Sequence, residues 1–185
     1  DLSSNEEVVT ANSKYNYLYR VNCGGDDFVD SKGNLWMADV HKIEKNTWGS
    51  TSWTDNFKNL PAYFASQRTT SDLVDGTQND ALFQSFRYGM NQLKYEFPVP
   101  DGEYEVELYF SEPWYGVGGG MNCVDWRVFD VAINDQVVLK DFDIWKEVGF
   151  AKAIKKTFKV KSQNGQLVID FPKVKSGEGI ISAIA

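Results

Sequence analysis

From residue 103 onward apolar and acidic side chains alternate. Tyr104, Val106, Leu108 and Phe110 are interleaved with Glu103, Glu105 and Glu107, the period of a strand with one face inward and an acidic face in water. Phe129, Val131 and Ile133 repeat the pattern. Asn134-Asp135, two residues that tolerate positive φ, then lead into Val137-Val138-Leu139, which predicts a hairpin. Thr157-Phe158-Lys159-Val160-Lys161 alternates again, and Asn164-Gly165 predicts a second hairpin with Gln166-Leu167-Val168-Ile169-Asp170-Phe171. Further strands are expected over Tyr17-Leu18-Tyr19-Arg20-Val21 and Gln92-Leu93-Lys94-Tyr95-Glu96-Phe97, and a fully buried one over Gly179–Ile184.

Helix is scarce. Leu60–Arg68 has room for two turns with Pro61 at the first helical position, and Asp143–Val148 for one. Pro98-Val99-Pro100-Asp101-Gly102 breaks the chain between strands. Short strands at turn-marked spacing, without long helices between them, predict an all-β fold: an antiparallel β-sandwich (jelly roll) with long aromatic-rich loops and one or two short helices. The whole chain, 1–185, reads as a single domain. It stops on an apolar strand at Ala185, which suggests a module cut from a larger polypeptide.

Composition narrows the function classes. Nineteen basic against 26 acidic side chains give a net charge of −7, which argues against nucleic acid and against an anionic membrane surface as partners. No apolar run approaches the ~18–20 residues of a membrane span. The start, Asp1-Leu2-Ser3-Ser4-Asn5, is no signal peptide. With one histidine and two cysteines in the chain, a zinc site would need nearly all of them, and Cys23, His41 and Cys123 lack ligand spacing. A Ser-His-Asp or Cys-His centre would rest on His41 alone, with no glycine elbow near a serine. Cys23 and Cys123 are either bridged, if the protein is exported, or two buried thiols. No cofactor is expected, although Asp26, Asp27 and Asp30 form a candidate set for a structural calcium ion, at a spacing unlike an EF-hand.

The six tryptophans carry more information. None falls in the clean alternating segments. Trp48 and Trp53 bracket Gly49-Ser50-Thr51-Ser52, and Trp114-Tyr115 precede the glycine run Gly116-Val117-Gly118-Gly119-Gly120. A flat ring beside amide, carboxylate and guanidinium groups suits a sugar, whose C–H face packs on the ring while its hydroxyls are hydrogen-bonded. Trp36, Trp126 and Trp145 are read instead as plugs closing the sandwich ends, and Trp114 and Tyr115 as a site. Among the carboxylates, Glu103, Glu105 and Glu107 read as a solvated strand face. Glu112, Asp125 and Glu178 sit in loops near aromatics, and nothing prepares one as the raised-pKa acid of a glycosidase.

The order of several motifs resembles the malectin family. Val21-Asn22-Cys23-Gly24-Gly25, Phe83-Gln84-Ser85-Phe86-Arg87-Tyr88-Gly89, Asp101-Gly102-Glu103-Tyr104 and Leu108-Tyr109-Phe110-Ser111-Glu112 carry it. Val128–Asn134 and Lys140-Asp141-Phe142-Asp143-Ile144-Trp145 complete the series, from about residue 17 to the end. The Trp-rich insertion and the Gly118–Cys123 loop look like the bacterial branch, the family 57 carbohydrate-binding modules appended to secreted glycoside hydrolases such as family 2 enzymes.

The resemblance implies a β-sandwich that binds sugar through loop aromatics at one end, without catalysis. Tyr88, Trp114, Tyr115 and Trp53 would stack on the sugar, and Arg87, Glu112 and Glu178 would supply polar contacts. The expected partners are an oligo- or polysaccharide and a catalytic domain of the same polypeptide, with the protein secreted, periplasmic or at the cell surface of a bacterium. The competing expectation is a docking domain that packs on a catalytic domain and has no ligand of its own.

Overall fold

Three β-sheets built from fifteen short strands hold the chain, in a computed structural model that describes residues 15–185. In chain order they are β1 (Val21–Asn22), β2 (Phe28–Val29), β3 (Leu35–Ala38), β4 (Gly49–Thr51), β5 (Gln67–Thr69), β6 (Ser85–Gly89), β7 (Lys94–Pro98) and β8 (Glu103–Phe110). They continue with β9 (Val128–Ile133), β10 (Gln136–Phe142), β11 (Ile154–Lys161), β12 (Gln166–Asp170), β13 (Val174–Ser176), β14 (Gly179–Ile181) and β15 (Ala183–Ile184). One sheet runs β11-β8-β15-β1-β3-β2, the second β10-β9-β12-β7-β4 with β13 beside β9, and the third β14-β6-β5. Among the described strand pairs only β1 with β3 is parallel.

The first two sheets face each other as a sandwich. Val106, Leu108 and Phe110 of β8 meet Tyr95, Phe97, Phe129, Val131, Ile133, Leu167 and Ile169 of the opposite layer, all buried in one cluster. Each such side chain contributes about 1.5–3 kcal/mol by leaving water. The outer face of the first sheet is covered as well. Trp36 meets Tyr109 edge-on at 5.3 Å, and Leu82 and Phe83 of α1 (Asp80–Gln84) pack over them in a second cluster.

That second layer corrects the reading of Glu103, Glu105 and Glu107 as a uniformly solvated face. Glu103 is exposed, but Glu107 is buried, accepts a hydrogen bond from Tyr109 Oη at 2.7 Å and pairs with Lys155 at 3.2 Å. Asn134 and Asp135 do form the expected tight hairpin, with φ of 47° and 65°. The second expected hairpin does not form. Gln163 and Gln166 close the turn, but β11 then pairs with β8 and β12 with β7 and β9, so the chain crosses between layers there.

Residues 60–68 are also not helical. Tyr63 and Ala65 take positive φ (68° and 48°), and the segment leads into β5. The turn at 143–148 is helical as expected: α2 (Ile144–Val148) is capped by Asp143, which accepts the Lys146 N–H at 3.0 Å. Only Val21 of the expected strand over residues 17–21 is in β1, and the last buried strand is divided between β14 and β15 at Ser182. Cys23 and Cys123 are both buried and both free, so the bridge is not formed. Asp30 accepts from the Trp36 indole at 3.0 Å and from the backbone N–H groups of Lys32 and Asn34. Among the described residues no cluster of three or more His, Cys, Asp or Glu is placed to hold a metal, and no helix is long and apolar enough to cross a membrane.

Candidate functional site

The three-stranded sheet gathers the aromatic residues. Tyr88 of β6 lies opposite Ile180 of β14, with Glu178 just before that strand, and Arg68 of the edge strand β5 lies opposite Phe86. A 3₁₀ turn over Trp53–Asn56 brings in Trp53. Its Asp55 carboxylate accepts the Ser52 N–H at 3.2 Å, fixing the start of the turn. Trp53, Tyr88 and Glu178 thereby line one cleft of about 450 Å³, together with Phe57 and the Met90-Asn91-Gln92 loop. Phe57 and Phe64 stand edge-on to the Trp53 ring at 5.7 and 6.5 Å, which restrains that indole.

Trp114 and Tyr115 are carried by a loop that a buried ion pair secures. Glu112 is 0% exposed, and its Oε1 accepts the N–H groups of Trp114 and Tyr115 at 3.1 Å each. Its Oε2 accepts Arg127 Nε at 2.6 Å. Arg127 also donates to the Glu178 carbonyl at 3.0 Å, and its guanidinium lies 5.0 Å from the centre of the Tyr115 ring. Gly116, at φ +93°, follows the pair. A Cβ there would sit 2.5 Å from the Trp145 indole nitrogen, so only glycine fits beneath that ring. Trp114 is left 61% exposed.

Two residues expected to contact a ligand are instead buried. Glu112 faces inward, with its carboxylate taken up in anchoring the loop. Arg87, also 0% exposed, lies on the inner face of β6, where its Nη1 donates to Ser50 Oγ at 3.2 Å and stands 3.9 Å from Asp39. Tyr63 covers the guanidinium face at 4.0 Å, and burial beside Asp39 pushes its phenol up to about 12. Asp39 in turn accepts from Tyr95 Oη at 2.5 Å and from the Gly24 N–H at 2.8 Å. This network lies behind Tyr88 and supports the strand that presents it.

The other named residues do reach the surface. Glu178 is 41% exposed at its side chain, 3.8 Å from Arg127, and Tyr115 meets Trp126 edge-on at 5.5 Å. Trp126 is 45% exposed, which corrects its reading as a plug; Trp36 is buried as a plug should be, and Trp145 is half-buried over Gly116. Two arginines went unnoticed in the sequence. One is Arg127. The other is Arg68, whose guanidinium lies 5.6 Å from the centre of the Tyr88 ring and 5.9 Å from that of Trp114, joining the cleft to the exposed indole. Neither carries a sequence motif: Arg68 is placed by the register of β5 against β6, and Arg127 by its pairing with Glu112.

The Malectin domain profile matches residues 17–184. Mouse malectin is 31% identical over 154 residues, covering 82% of this chain and 45% of its own. An Arabidopsis thaliana leucine-rich repeat receptor-like serine/threonine-protein kinase is 26% identical over 187 residues, covering 91% of this chain and 18% of its own. Among solved structures, Bacteroides uniformis beta-glucuronidase 2 superposes with a TM-score of 0.70 at 22% identity, over 90% of this chain and 17% of that one. The ANXUR2 extracellular domain from Arabidopsis thaliana superposes at 0.66 and 18% identity, over 90% of this chain and 47% of that one. These structural likenesses establish the fold, and the chain spans less than half the length of each of these relatives. A family match over 168 of 185 residues, with the motif order and the sandwich agreeing, leads to one conclusion: the chain belongs to the Malectin domain family.

Proposed function

We propose that this domain is a non-catalytic carbohydrate-binding module of the family 57 type, accessory to a polysaccharide-degrading glycoside hydrolase exported by a bacterium. One observation carries the reading. Trp53 and Tyr88 line an open cleft with Glu178 at its edge, and the exposed Trp114 is linked to that cleft through Arg68. About 450 Å³ falls within the range of small-molecule sites and suits one or two sugar rings. Stacking comes from Trp53, Tyr88, Trp114 and Tyr115, and hydroxyl contacts from Glu178, Asn91 and Gln92. Arg87 and Glu112 act from beneath as positioning residues. Glu112 takes no acid–base part, since its carboxylate is buried and fully engaged. The place of a similar domain within a beta-glucuronidase chain supports attachment to a hydrolase.

Calorimetric titration with mono- and disaccharides, preceded by a glycan array, tests this. Dissociation constants of about micromolar to millimolar are expected, because an open aromatic platform desolvates little of a polar ligand. An array with no bound glycan overturns the reading. A docking role has its own support: Val117, Met121 and Trp126, on and after the glycine run, are large apolar side chains left exposed, of the kind interdomain contacts cover. Protection of Trp126 from a solvent quencher only in the presence of a linked catalytic domain would favour it.

A further inference from the structure

The aromatic surface holds a cation with no anion beside it. Arg87 stands near Asp39, and Arg127 is paired with Glu112 and Glu178. The Arg68 side chain has neither an ion pair nor a hydrogen bond among the described residues; it lies over the faces of Tyr88 and Trp114. On the edge strand β5 it lies opposite Phe86 and diagonal to Tyr88, on the face of the sheet that those two rings share and away from the buried Arg87. Resting on two rings restricts the side chain's rotamers but uses none of its five N–H donors.

A guanidinium stays charged at every accessible pH, and its planar fork matches a carboxylate through two parallel N–H···O bonds. A neutral sugar on this surface would partly desolvate that charge without neutralising it. A sugar carrying a carboxylate would neutralise it. The chain's net charge of −7 opposes an acidic ligand only weakly, because charges beyond about 8–10 Å are screened at physiological salt, and the carboxylate inside the cleft, Glu178, is offset by Arg127 at 3.8 Å. We propose that Arg68 is the specificity-determining residue of the site and selects glycans bearing a hexuronate carboxylate over neutral glycans of the same size. This rests on the carbohydrate-binding reading above.

The 185-residue chain is titrated with a uronic-acid disaccharide, its neutral counterpart with a hydroxymethyl in place of the carboxylate, and a sulfated counterpart, at low and high salt. The uronate is expected to bind about fivefold more tightly than the neutral sugar, an advantage that fades in high salt. Arg68→Met keeps a long apolar side chain against the rings and brings the uronate-to-neutral ratio close to one, while Arg68→Lys retains part of it; circular dichroism confirms that both fold. A sulfated sugar that also gains from Arg68 supports charge selection and widens the class. Equal affinity for uronate and neutral sugar, a preference for sulfate alone, or a uronate preference that survives Arg68→Met overturns the proposal while the carbohydrate-binding reading stands. If none of the three sugars binds, the proposal falls; the carbohydrate-binding reading falls with it only if the glycan array is empty as well.

Discussion

Arg127 donates its Nε–H to the Glu112 carboxylate across 2.6 Å in a hydrogen-bonded ion pair, and neither side chain is more than 6% exposed. The pair joins the two halves of the proposed sugar surface. Its carboxylate end holds Trp114 and Tyr115 by their backbone, and its guanidinium end reaches the loop that carries Glu178. Arg127→Ala therefore leaves a buried carboxylate without its cation. Breaking a buried pair in this way costs about 3–5 kcal/mol, read as a lower midpoint in denaturant unfolding with an unchanged slope. Glycan affinity is expected to fall in the same variant, because the loop loses its anchor.

Trp114→Ala should separate binding from folding. Its ring is mostly in solvent, so the unfolding free energy should move by no more than about 0.5 kcal/mol. Affinity for the best glycan of the array should drop about tenfold or more, a loss of about 1.4 kcal/mol of stacking. Retained affinity would remove this indole from the surface.

Alkaline pH should unfold the domain before its buried phenols ionise. Burial first, and neighbouring carboxylates second, raise Tyr95 (beside Asp39) and Tyr109 (beside Glu107), and the Tyr63 phenol is pushed up to about 12. Groups raised in the fold contribute stability that is complete below their unfolded pKa of 10.0 and is lost as the pH climbs past it. Absorbance of tyrosinate should therefore rise in two stages. Exposed rings titrate first, and the rest appear together with the loss of far-ultraviolet dichroism.

Cys23 and Cys123 are buried, and burial raises the Cys23 thiol well above its ordinary value. A thiol reagent should find no reactive group in the native protein and two after denaturation, and added reductant should leave the melting temperature unchanged.

What the sequence disclosed follows from which forces are local. Alternation at Tyr104, Val106, Leu108 and Phe110 placed β8, and positive-φ residues at Asn134-Asp135 placed the hairpin, because side-chain period and turn chemistry act within a few residues. The same local logic failed at Asn164-Gly165: a turn fixes the direction of the chain but not which neighbours its flanks will pair with. It failed at Leu60–Arg68 too, where Pro61 and an apolar run suggested a helix and tertiary packing set Tyr63 and Ala65 at positive φ. Trp114 was legible as a loop aromatic beside the glycine run, and Tyr88 only through the resemblance to the malectin family. Arg68 was not, since its position beside both rings depends on the register of β5 against β6.

The division of the last buried stretch at Ser182 has a consequence for how the molecule is assembled. Ile180 flanks Tyr88 on one side of that break, while Ala183 and Ile184 fill the gap between β8 and β1 on the other. The first sheet therefore has a missing middle plank until these late residues arrive. During synthesis the outer strands must wait unjoined, and the platform for Tyr88 and the closure of the sandwich should lock in as one concerted event.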